Sequence, residues 1–78
     1  MTMQFEFHAY HDGLRADITT ERLQSDSAAR AKAGRMAKRC NGPVDLARAG
    51  AAPWDERYIT TASPSQFHAS GYRLERLA

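Results

Sequence analysis

The sequence predicts an α+β domain: one helix packed on an antiparallel sheet of four to five strands, in the order β-β-α-β-β-β. Three observations carry that expectation. Residues 3–20 alternate apolar with polar on either side of Asp12-Gly13, residues 27–40 form one alanine-rich stretch without a β-branched residue, and residues 44–77 break into short strand-like runs punctuated by Gly, Pro and Ser. Seventy-eight residues make a single domain, 1–78. A chain of this length buries only about 60% of the surface its unfolded form exposes, so the core is a helix against a sheet, without room for a deep cleft between lobes.

In the first run Met3, Phe5, Phe7 and Ala9 fall on one face and Gln4, Glu6, His8 and Tyr10 on the other, the period of two that marks a half-buried strand. Asp12-Gly13 is the favoured dipeptide of a two-residue hairpin turn. Leu14, Ala16, Ile18 and Thr20 then alternate against Arg15, Asp17 and Thr19 as the return strand. Ser25 or Asp26 suits a helix N-cap, and the acid suits the positive end of the helix dipole. Ala29, Ala33, Met36, Ala37 and Cys40 recur at i, i+4, i+7, i+8 and i+11, one apolar stripe whose small residues let the helix approach a sheet. A helix starting as early as Thr20 is the rival to a start near Ser27. Asn41-Gly42-Pro43 supplies a C-cap and a stop. Val44 to Ala49 reads as a short strand. Trp54 to Thr61 reads as the next, on the strength of Tyr58, Ile59, Thr60 and Thr61. Tyr72 to Leu77 reads as the last, after turn signals at 63–66 and 70–71.

Hydrophobic residues at 42% and charged residues at 26% are ordinary for a folded globular chain. No apolar stretch approaches the roughly 20 residues a bilayer span requires. The first residues lack a basic region followed by an apolar run, which argues against a secretory signal. One cysteine, Cys40, excludes an intramolecular disulfide framework. These features predict a cytoplasmic protein with no membrane partner.

The residues that carry chemistry do not gather. His8 and His11 form H-x-x-H beside Asp12, but residues i and i+3 of a strand point to opposite faces, so the pair cannot chelate without a bend. No metal and no cofactor is expected. Cys40 falls on the apolar stripe at the C-terminal end of its helix, where the dipole opposes a thiolate. Ser63, Ser65, Ser70 and His68 are close in sequence, yet no G-x-S-x-G elbow surrounds any serine. Asp55 and Glu56 are adjacent and would face opposite sides of a strand. The glycines form neither G-x-x-x-x-G-K-[ST] nor G-x-G-x-x-G. The chain is expected not to be an enzyme.

Charge supplies the one concentrated feature. Residues 1–29 hold five acids against two bases, residues 30–50 six bases against one acid, and residues 51–78 three of each. Arg30, Lys32, Arg35, Lys38 and Arg39 lie within ten residues that contain no acid. Like charges at i, i+3 and i+4 weaken a helix by a few tenths of a kcal/mol per pair. A run kept at that cost points either to an anionic partner, because Arg and Lys attract phosphate and carboxylate without regard to sequence, or to a solvated outer helix face that keeps the protein soluble. No aromatic residue is interleaved with the run, so a base-stacking platform is not supported. One helix covers only one face of a sheet, and an antiparallel sheet tolerates a wet second face. His8, Tyr10, Trp54 and Tyr58 are the candidate contact residues there, and the open face leaves room for a homodimer.

The stretch from Ser25-Asp26-Ser27-Ala28-Ala29-Arg30 through Asn41-Gly42-Pro43-Val44-Asp45-Leu46-Ala47-Arg48-Ala49-Gly50 resembles an arrangement recurrent in very small phage and proteobacterial proteins: a hairpin, one alanine-rich helix, then G-P-V and short strands. Small type I anti-CRISPR proteins of phages and prophages share that layout and size. The similarity spans most of the chain and is architectural, with no motif from which site residues transfer. It implies an inhibitor, acting in the cytoplasm of a host bacterial cell, that binds a protein subunit of a type I RNA-guided surveillance complex and blocks target DNA. Such complexes hold their heteroduplex in a positively charged channel. A mildly basic protein does not mimic DNA; it would sit on a subunit surface, its helix meeting an acidic patch or the guide backbone. The alternative is a small accessory protein that binds nucleic acid directly through the basic helix.

Overall fold

The computed structural model describes residues 1–11 and 14–75. The expected Asp12-Gly13 turn lies outside the described residues; the expected last strand ends at Leu74, with Glu75 outside it, and its extension over 76–77 lies outside the described residues. Five strands form one antiparallel sheet in the order β2-β1-β3-β4-β5, where β1 is Met3–His11, β2 Leu14–Leu23, β3 Val44–Arg48, β4 Tyr58–Pro64 and β5 Tyr72–Leu74. Helix α1 (Asp26–Cys40) carries the chain from β2 over β1 to β3 and packs on one face of the sheet. This is the predicted α+β class and element order.

The core follows from the two periodicities. Phe5 and Phe7 of β1, Val44 and Leu46 of β3 and Ala62 of β4 are fully buried against Ala29, Ala33 and Ala37 of α1. Met36 and Cys40 are partly buried at its edge, and the Cys40 thiol donates to the Met36 carbonyl at 2.8 Å. Gly34 lies under the Tyr72 ring, where a Cβ would stand 2.0 Å from a ring carbon. The missing side chain is what lets α1 reach β5. Ser25 caps the helix, its Oγ accepting from Ala28 N at 3.1 Å. Asn41 closes it at φ 53°, ψ 43°, the left-handed conformation that ends many helices.

Two expectations are corrected. The run Trp54 to Thr61 is not all strand: Trp54–Arg57 form a short helix, α2, and β4 begins at Tyr58. Pro53 fixes φ at −56° ahead of the turn. Arg57 then ties it down, donating from Nε to Ala52 O at 2.7 Å and from Nη1 to Arg48 O at 3.1 Å. Tertiary bonds thus override the β-propensity of the run that follows. Asp55 and Glu56 consequently share an exposed helical turn and do not flank a strand. The second strand continues to Leu23, which removes a helix start at Thr20. Thr19, Glu21 and Leu23 pair with Phe7, Phe5 and Met3 on the helix side, past a bulge at Ala9/Tyr10. Leu14 and Ile18 of this edge strand are left 75% and 48% exposed.

Candidate functional site

Two surfaces hold the candidate binding residues expected from the sequence, and a third adds a cleft. The first is the outside of α1. Arg35, Lys38 and Arg39 are exposed, and Arg30 is half-buried on the flank. Among the described residues none of these four has a carboxylate partner. Lys32 departs from the expected set. It turns inward, pairing with Glu21 of β2 at 2.5 Å, with its ammonium 5.8 Å from the centre of the Phe7 ring. Four cations therefore remain on a helix capped at both ends, whose other side is packed in the core.

The second surface is the sheet face away from α1, and α2 covers part of it. The Trp54 ring meets His8 edge-on with centroids 4.8 Å apart. His8 is only 6% exposed, so it cannot present the contact surface expected of it; it supports Trp54. His8 Nε2 lies 2.9 Å from Glu6 Oε1, and Arg57 Nη1 donates to Glu6 Oε2 at 3.1 Å. The His8 hydrogen bond, with the Arg57 guanidinium adding to it against the opposing effect of burial, holds the Glu6 carboxyl below its usual 4.5. Trp54 and Tyr58 are half-buried with centroids 5.9 Å apart. The Tyr58 hydroxyl lies 2.6 Å from Thr61 Oγ1 and 3.1 Å from Glu75 Oε2, and Thr61 donates to Asp45 at 2.6 Å. Burial raises the Tyr58 phenol above its usual 10.0. Tyr10 is half-buried and donates its backbone N–H to Pro43 O at 3.0 Å. Acid, base and aromatic groups on this face mostly satisfy one another, with Trp54 and Tyr58 keeping outward edges.

The third surface was not legible as a site. A cleft of about 810 Å³ opens between the C-terminal end of α1, the 65–71 loop and β5, lined among others by Lys38, Asn41, Gln66, Phe67, His68 and Arg73. Phe67 is 88% exposed. In sequence it stands 29 positions from Lys38 with strand and loop between; the only hint was an apolar ring among turn residues.

Among the described residues no group of three or more His, Cys, Asp or Glu could hold a metal ion, and no helix is long and apolar enough to cross a membrane. Comparison with models of protein families, with curated proteins and with solved structures found no match.

Proposed function

We propose that this protein is a non-enzymatic binding module that docks an anionic patch of a partner macromolecule with the outer face of α1. The supporting observation is that Arg30, Arg35, Lys38 and Arg39 are held on one helix capped at both ends, without carboxylate partners among the described residues. A charge kept hydrated and unpaired stays available for pairing across an interface. On a helix fixed at both caps such charges need little further ordering on binding. Trp54 and Tyr58 offer contact at the other face.

The architectural resemblance to type I anti-CRISPR proteins names a partner for this reading: a subunit of an RNA-guided surveillance complex in the host cytoplasm, whose DNA path the bound module would cover. Co-purification with type I complexes of several subtypes, together with a phage plaque assay, tests it. The reading expects a stable complex, restored plaques in a CRISPR-protected strain, and loss of both in the R30E/R35E variant. Absence of binding to every subtype would remove the named partner.

A further inference from the structure

The 65–71 loop displays Phe67 and does not bury it. Ser65 N donates to Gly71 O at 3.0 Å, Gly71 N to His68 O at 2.9 Å and Phe67 N to Ser65 Oγ at 3.3 Å. The Ser65 hydroxyl also lies 2.8 Å from His68 Nδ1, and Ser70 Oγ donates to Tyr72 O at 3.0 Å. The loop is closed on itself by its own hydrogen bonds, so the backbone that carries the outward ring is held by the fold. Gly71 stands at φ 86°, and a Cβ there would lie 2.7 Å from Lys38 Cε. The glycine gives the Lys38 stem its path across the loop to the cleft. Arg73 lines the same cleft. Among the described residues neither cation has a carboxylate partner and no acid lines the cleft. Gln66 and Asn41 add amides that can both donate and accept.

An exposed aromatic ring beside unpaired cations and uncommitted amides matches the chemistry of a single nucleic-acid strand: a base offers a π-face, its phosphates offer charge, and its edge offers hydrogen bonds. An acidic peptide would use the cations and leave the ring unused. A duplex keeps its bases stacked inside, away from the ring. We infer that the cleft binds single-stranded nucleic acid, with one base stacked on Phe67 and neighbouring phosphates held by Lys38 and Arg73. The site shares only Lys38 with the docking face proposed above, so the two readings can fail separately.

Fluorescence anisotropy with a labelled twelve-nucleotide oligo-dT and oligo-U, the matching twelve-base-pair duplex and a polyglutamate peptide tests the inference. The single strands should bind most tightly. F67A should weaken them by roughly 5- to 150-fold with little effect on the duplex, and F67W should restore binding and show indole quenching on addition of the strand. Phe67 makes no core contact, so folding is not at stake in either variant. R73E should weaken binding and flatten the log–log salt slope by about 0.7. Equal affinity for duplex and single strand, no effect of F67A, or tighter binding of polyglutamate would each overturn the inference.

Discussion

Arg57 of α2 donates from Nη1 to the Glu6 carboxylate of β1 at 3.1 Å, joining two residues 51 positions apart. The same guanidinium holds the carbonyls of Arg48 and Ala52. It is the fastener between the short helix and the sheet. R57A should lower unfolding free energy by about 1–3 kcal/mol, the range for hydrogen bonds to charged groups, and should loosen Trp54 from His8. Urea unfolding followed by tryptophan fluorescence reads both. E6Q should cost less, because an amide oxygen still accepts, and the double variant should cost less than the sum of the singles.

The same carboxylate sets an acid limb. Because the folded-state pKa of Glu6 is depressed below 4.5, its contribution is fully present above that value and disappears as pH falls through the folded pKa. Tyr58 acts at the other end. Its folded pKa is raised above 10.0, so its contribution is present below pH 10 and is lost as pH climbs through the raised value. Stability measured from pH 2 to 11 should fall at both ends. E6Q should flatten the acid limb and Y58F the alkaline one, each leaving the other unchanged.

Gly34 separates two opposing effects. In an open helix, Gly to Ala gains up to about 1 kcal/mol from propensity. Here the added methyl would stand 2.0 Å from the Tyr72 ring, and overpacking of that kind costs about 1–3 kcal/mol. G34A is therefore expected to destabilise, and Y72L in the G34A background should recover part of the loss. Thermal unfolding of the wild type and the two variants settles the sign.

The helix cap gives an independent check on local structure. Ser25 Oγ satisfies one of the free N–H groups of the first turn at 3.1 Å, and S25A should cost about 1 kcal/mol. D26N should cost less, because Asp26 pairs with Arg48 at 3.1 Å where both are substantially exposed, and such pairs contribute about 0–1 kcal/mol.

The parts of the fold that follow local periodicity were readable from the chain. The alternation through Phe5 and Phe7, the alanine stripe and the Asn41-Gly42-Pro43 stop required no knowledge of what lies across the sheet. What could not be read depended on distant partners. The α2 turn exists because Arg57 reaches Glu6 and two carbonyls. His8, outward by alternation, is buried because Trp54 folds over it. Lys32 is withdrawn from the basic run by Glu21 on a strand already passed. The cleft at Phe67 is the extreme case, since only the approach of β5 to the end of α1 brings that ring beside Lys38 and Arg73.

Matched charge reversals on a heparin column test the central claim most directly. R35E and R39E each remove the same charge as R22E, but Arg35 and Arg39 lie on the outer face of α1 whereas Arg22 lies exposed on the edge strand β2. If the outer helix face is the anion-binding surface, R35E and R39E elute at clearly lower salt than the wild type and R22E close to it. Equal shifts for all three would mean that heparin senses only net charge, and would contradict a binding face on α1.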